Sequence, residues 1–238
     1  MEDETVKIII YALFSGITIF FGGLLALLFE KIPKWNMKED VLHTSIAFGG
    51  GVLVAAVAFV LTPRGIRMFP IEKFTVIFLA GAGTFFLIDR YLEQKGGAFA
   101  QALAMMMDYV PEAIALGAVL AHDHQTGLLL ALFIGLQNFP ESFNAYSDLR
   151  ANGFGALKIL LIFIPLSLIG VGGALLGNYF FIDRPELISG LMLFSAGGIL
   201  YLIFQDIAPL SKVKQHWGPA LGATVGFVIG MIGTKVLG

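Results

Sequence analysis

The chain has no cysteine, which excludes disulfide bridges and thiolate metal ligands alike. It is also poor in charge. Only 13% of its 238 residues are Asp, Glu, Lys or Arg, where a soluble domain carries about 25%. That shortage leaves little room for a water-facing domain. The net charge is −2, so there is no basic surface for nucleic acid. No cleavable signal peptide is expected, because the start, Met1-Glu2-Asp3-Glu4, is acidic and the apolar run behind it is long enough to span. Linker composition, low-complexity tracts and soluble repeats are missing as well.

What is abundant is apolar. The chain is 57% hydrophobic, and its mean hydropathy is +0.84. A membrane span needs about 20 apolar residues, and such runs fall at 6–30, 42–62, 71–92, 98–121, 126–148, 154–181, 186–209 and 217–237. The expectation is an all-α integral membrane protein of eight transmembrane helices, with 1–238 forming a single transmembrane domain. Eight spans put both termini on one side. Placing them outside puts nine cations on the cytoplasmic side: Lys31, Lys34, Lys38, Arg90, Lys95, Arg150, Lys158, Lys212 and Lys214. Six remain outside: Lys7, Arg64, Arg67, Lys73, Arg184 and Lys235. The positive-inside rule therefore favours termini outside, in a multi-pass protein of the plasma or inner cell membrane. Glycine clusters at Gly22-Gly23, Gly49-Gly50-Gly51, Gly81 with Gly83, Gly170 with Gly172-Gly173, and Gly222 with Gly226 and Gly230 predict close helix packing through small faces.

Two of the spans break the apolar pattern. One reads Asp108-Tyr109-Val110-Pro111-Glu112 and the other Gln137-Asn138-Phe139-Pro140-Glu141. An ionisable side chain at the bilayer centre costs about 2.5–3.5 kcal/mol even on the lenient insertion scale. Asp108 and Glu112 are four apart and share a helix face; Gln101, seven before Asp108, falls on the same face. On the fifth span Gln137, Glu141, Asn144 and Asp148 form one stripe. Asn138 sits one residue round from it, within reach of the side that carries Glu141. At a rise of about 1.5 Å per residue both clusters lie near the membrane midplane, and a short loop makes the two spans antiparallel neighbours. Pro111 cannot bond the carbonyl of Met107, nor Pro140 that of Leu136. Freed carbonyls in a bilayer must find partners or line a hydrated cavity, as in the interrupted helices of many secondary transporters. Two other readings stand beside a binding site. One is a structural polar network between two helices. The other is a catalytic carboxylate pair, for which no nucleophile or water-activating histidine is at hand.

At these residues the chain resembles the ZIP family (Zrt/Irt-like proteins) of divalent metal transporters. The family's motifs read His-Asn-x-Pro-Glu-Gly on helix four and His/Gln-Asn/Asp-x-Pro-Glu-Gly on helix five. Pro111, Glu112, Gln137, Asn138, Pro140 and Glu141 match. Ala47-Phe48-Gly49-Gly50-Gly51 on span two and Ser195-Ala196-Gly197-Gly198, through Asp206 and Pro209, on span seven are similar in flavour. The resemblance implies a ZIP-like bundle with a metal site between helices four and five. It implies movement of a divalent cation towards the cytoplasm by alternating access, and no enzyme activity. There are departures. The family's first histidine is Asp108 here, the asparagine after it is Tyr109, and the glycines after the glutamates are Ala113 and Ser142. Span six has no acidic residue, so one metal position is expected rather than two.

The metal ligands so implied are Asp108, Glu112, Gln137, Asn138 and Glu141, all oxygen donors. Oxygen donors suit Mn²⁺, Mg²⁺ and Ca²⁺ and select less for Zn²⁺; the cation, of the Zn, Mn or Fe class, is substrate, and no organic cofactor is expected. Three carboxylates around one divalent ion leave excess negative charge, so one of them retains a proton and uptake depends on pH. Met105, Met106 and Met107 are read as packing. The expected pathway residues are Gln101, Asn144 and Asp148, with Asp148 at the cytoplasmic mouth. The bland reading of Asp148 is a solvated helix-end residue paired with Arg150 or another nearby cation. His122 and His124, in the loop between spans four and five, either capture metal at the entrance or are simply solvated. His43 and His216 stand alone. The bilayer and the metal ion are the expected partners, and a homodimer is left open. An alternative function is a diverged ZIP-like protein that binds metal without transport, as sensor or scaffold. An intramembrane hydrolase ranks below it.

Overall fold

The computed structural model describes residues 2–32, 38–95, 100–120, 122–181, 183–211 and 217–237. Among the described residues every regular element is helical. The helices are α1 (Glu2–Glu30), α2 (Lys38–Ala56), α3 (Thr62–Met68), α4 (Ile71–Lys95), α5 (Ala100–Leu120), α6 (His124–Ala151), α7 (Ala156–Phe181), α8 (Pro185–Leu202), α9 (Ala208–Leu210) and α10 (Gly218–Leu237). Two π-helical stretches join neighbours into longer rods: Val57–Leu61 links α2 to α3, and Ile203–Ile207 links α8 to α9. Among the described residues, α5 and α6 fall where the fourth and fifth expected runs lie.

Among the described residues, six helices are long and apolar enough to cross a membrane: Glu4–Glu30, Asp40–Met68, Ile71–Gln94, Ala156–Phe181, Pro185–Leu210 and Gly218–Leu237. The chain therefore has the make-up of a multi-pass membrane protein. α5 and α6 are the helices that carry the carboxylates and amides described above.

Local sequence explains where the helices start and stop. Asp123 caps α6: its side chain accepts from the Thr126 backbone N–H at 3.0 Å and the Thr126 hydroxyl at 2.6 Å. At the other end Gly153 adopts φ +87°, a conformation that glycine reaches without a Cβ clash. The Gly153 N–H then bonds the Arg150 carbonyl and the Phe154 N–H bonds that of Leu149, both at 3.0 Å. This is a Schellman ending, and Phe154 packs on the core cluster that contains Leu149. α3 stops at Phe69, which turns extended (φ −116°, ψ 149°) because Pro70 follows it.

α6 is central, packed on α1, α2 and α5, while α10 lies on α2, α4 on α8, and α7 on α1 and α5. Three of these contacts are built the same way. A Cβ added at Gly51 would strike the Ala223 carbonyl and one at Gly226 that of Phe48, joining α2 to α10. Gly81 meets Phe194 and Gly197 meets Phe78 between α4 and α8; Gly117 meets Ala174 and Gly177 meets Ile114 between α5 and α7. In each pair, both helices bring a bare backbone against the partner's carbonyl, the close approach that small residues permit in membrane bundles. Most of the glycine clusters thus serve as the packing faces expected of them, whereas Gly83 and Gly172 face open space.

Candidate functional site

α5 ends at Leu120 and α6 begins at His124, so the two helices pack as neighbours and bring their polar clusters together. Both run helically through their prolines, Pro111 and Pro140. Proline does not break either one. Gly49 of α2 makes room for the Pro140 ring, since a Cβ there would lie 2.7 Å from Pro140 Cγ.

Between these helices Gln137 Nε2 donates to Glu112 Oε2 at 2.6 Å. Both residues are fully buried and Asp108 is only 3% exposed. Asp108 Oδ1 accepts from the Tyr109 backbone N–H at 2.8 Å. The carboxylates of Asp108, Glu112 and Glu141 lie near enough for their charges to act on one another. What sets the cluster apart is what it leaves unpaired. Glu112 Oε1, Gln137 Oε1 and both carboxyl oxygens of Glu141 are buried and accept no hydrogen bond. An orphaned buried acceptor costs about 1–3 kcal/mol, more when charged, so four in one region of one helix pair is a large standing penalty. A cation or protons can relieve it. Among the described residues no three His, Asp or Glu side chains already converge on one ion position. The oxygens share a region without yet closing on a point.

A chamber of about 20 Å³ opens beside Glu141 and Asn144, with Ile46, Gly50, Pro140, Ile207 and Leu210 as its other walls. That volume suits about one water. It places Asn144 next to Glu141, as the stripe on α6 requires.

Asn138 is fully buried, and its Nδ2 donates to the Ser15 carbonyl of α1 at 3.2 Å. The reason is local. One residue round from the stripe, position 138 faces α1, which packs along α6. Its Oδ1 has no partner, so the residue contributes one fixed and one open group. Arg150 does not pair with Asp148, as the bland reading supposed. Its guanidinium grips Glu30 of α1, with Nε at 3.0 and 3.1 Å from the two carboxylate oxygens, and Nη1 donates to the Phe154 carbonyl at 2.7 Å. Tyr146 donates to Glu30 Oε2 at 2.7 Å. Asp148 itself is half-buried. His122 and His124 are exposed at the α5–α6 connection. The His124 ring lies 5.6 Å from that of Tyr11 on α1 and helps line a 210 Å³ cavity with Glu4, Lys7, Ile8 and Leu120. The Gln101 side chain lies outside the described residues, as does His216. His43 bonds the Leu210 carbonyl through Nδ1. Met105 belongs to the core and Met106 packs against it, as read from the sequence.

Tyr109 occupies a place of its own. It is fully buried, its hydroxyl donates to the Ser167 carbonyl of α7 at 3.3 Å, and its ring fills the notch where Gly16 and Gly170 have no side chains. Beside Asp108, then, the space towards α7 is taken by a phenol. Sequence reasoning also missed Ser15, whose buried carbonyl anchors Asn138, and the two π-helical stretches. Serine on an apolar face gives no sign of this role. The π-stretches do leave a signal: each ends two residues before a proline, in Leu61-Thr62-Pro63 and Ile207-Ala208-Pro209. In comparison with known families and curated proteins, no family model and no curated sequence matches this chain.

Proposed function

We propose that this protein is a ZIP-like carrier of eight membrane spans that moves a divalent cation towards the cytoplasm through the α5–α6 site. The observation that carries the reading is the set of buried oxygens without partners: Glu112 Oε1, Gln137 Oε1 and both of Glu141. A structural network would satisfy its members, because half-satisfied buried networks are costly. A site for a transient cation has the opposite need, since its donors must be free when the ion arrives. Glu112, Glu141 and Asp108 supply charge and the Gln137 carbonyl supplies a neutral oxygen, a set suited to Mn²⁺-like ions. Asn138, held by Ser15, is a fixed edge of the site that offers only its Oδ1. The Tyr109 ring beside Asp108 supports one ion position rather than two.

In this reading the ion enters from the side where both termini lie and leaves along Asn144 and Asp148. A bare ion cannot cross the apolar half-membrane, so it needs successive oxygens about one helical turn apart. The test is uptake of radiolabelled Mn²⁺ and Zn²⁺ into proteoliposomes. Wild-type protein should accumulate label and Glu112→Ala should not. Binding without uptake would make the protein a sensor or scaffold; uptake unchanged in Glu112→Ala would remove the site from the path.

A further inference from the structure

The chamber beside Glu141 is closed on one side by a contact between two residues that the ion site does not use. Gly50 of α2 and Ile207 touch: a Cβ added at Gly50 would lie 2.7 Å from Ile207 Cγ2. Behind them lies a second cavity of about 600 Å³, whose walls include Ala47, Val54, Ile203, Ala223 and Phe227, and Gly50 and Ile207 belong to the walls of both. The isoleucine side chain and the bare backbone it rests on therefore stand between the chamber and the larger cavity.

The backbone that carries Ile207 is unusual. Ile203–Ile207 is π-helical, and the Ala208 N–H bonds the Ile203 carbonyl, five residues back. π-turns inside α-helices often mark functional positions. Here the cause is on the page. Pro209 has no N–H for the Gln205 carbonyl, and its ring crowds that carbonyl in a regular α-helix; the wider turn relieves the crowding. If the turn were instead closed by four-residue bonds, its own residues, Ile207 among them, would shift round the helix by up to about 100°, enough to carry Ile207 off Gly50. The α register brings the Gln205 carbonyl back against the Pro209 ring, so the π-helical form is the resting one. The bond from His43 to the Leu210 carbonyl ties the far end to α2.

We propose that Ile207, on the π-helical turn Ile203–Ile207, is a movable apolar gate between the Glu141 chamber and the 600 Å³ cavity, with Gly50 as its seat. The gate rests on the cation reading for its purpose but not for its detection. The glycine triplet of α2 fits this division of labour: Gly49 admits Pro140 of α6, Gly50 seats Ile207, and Gly51 admits the backbone of α10 at Ala223.

The chain has no native cysteine, so Asn144→Cys places a single thiol in the chamber. Its modification by a small charged methanethiosulfonate reads how often the chamber opens. Minor open states are commonly populated at about 0.1–10%, so Ile207→Ala in the Asn144→Cys background should raise the rate roughly tenfold, and Ile207→Phe should lower it. A rate that stays within a factor of about two in a monodisperse Ile207→Ala protein overturns the gate. If Ile207→Ala does not survive purification, Ile207→Val trims a single methylene and takes its place: a raised rate supports the gate and an unchanged one refutes it. None of these arms needs metal or flux. Added Mn²⁺ tests the other reading separately, because an ion at Glu141 should slow modification of the introduced thiol whether or not Ile207 gates it.

Discussion

Replacing Glu141 with leucine should make the metal-free protein more stable. Both carboxyl oxygens of Glu141 are buried without partners, and an orphaned buried acceptor costs about 1–3 kcal/mol. Leucine is of similar size and has nothing to satisfy. It also removes a charge that Asp108 and Glu112 oppose. Taking the low end for each of the two oxygens, the gain is about 2 kcal/mol. For chains of 150–250 residues, 1 kcal/mol moves the thermal midpoint by about 2–4 °C, so Glu141→Leu should melt roughly 4–8 °C higher in detergent with chelator present. Metal should act in the opposite sense. At a hundred times its dissociation constant an ion stabilises the wild type by about 2.7 kcal/mol, and it should leave Glu141→Leu unmoved. The two melting curves thus exchange order on addition of Mn²⁺. A Glu141→Leu protein that melts below wild type in chelator would instead show Glu141 to be a satisfied structural residue.

Other outcomes follow from the same geometry. Asp108→His exchanges a hard oxygen for imidazole and should raise the ratio of Zn²⁺ to Mn²⁺ affinity, measured by competition calorimetry; an unmoved ratio removes Asp108 from the site. Asp123→Ala should cost about 0.5–2 kcal/mol as the cap of α6 is lost. Partial burial works against the Asp123 carboxylate, but hydrogen bonds from Thr126 and the charge of Arg64 outweigh it and hold the carboxyl below its usual value. Its contribution should therefore be complete above about pH 4 and fade as pH falls further, a loss that melting curves of Asp123→Ala should not show. Gly226→Ala should destabilise by at least about 1–3 kcal/mol, since its Cβ would meet the Phe48 carbonyl, while Gly83→Ala, facing open space, should change stability by no more than about 0.5 kcal/mol.

Much of this was legible in the sequence because the physics is local. Long apolar runs fix helices, and Asp108 with Glu112, or Gln137 with Glu141, share a face by spacing alone; the Gln137–Glu112 bond joins the two pairs as that spacing requires. The residues that escaped depend on neighbours distant in sequence. Asn138 follows Ser15, 123 residues away, and Arg150 follows Glu30, 120 residues away; nothing near either residue announces the partner. Tyr109 looks like a lost ligand in the sequence, and only the paired notches at Gly16 and Gly170 show the volume it fills. Ile207 reads as one more apolar residue until its contact with Gly50 places it over the chamber. The helices α5 and α6 stay continuous where their prolines suggested interruption, whereas the prolines at 63 and 209 do distort their helices into π-turns. A proline marks a carbonyl without a donor, and the surrounding packing decides how the chain absorbs it.

If the unpaired oxygens of Glu112, Gln137 and Glu141 hold a divalent cation, equilibrium dialysis of the purified protein against Mn²⁺, followed by metal analysis, should find one ion per chain in the wild type and none in Glu112→Ala or Glu141→Ala, with both variants still monodisperse. A wild-type protein that binds no ion, or variants that bind as much as wild type, would rule the site out.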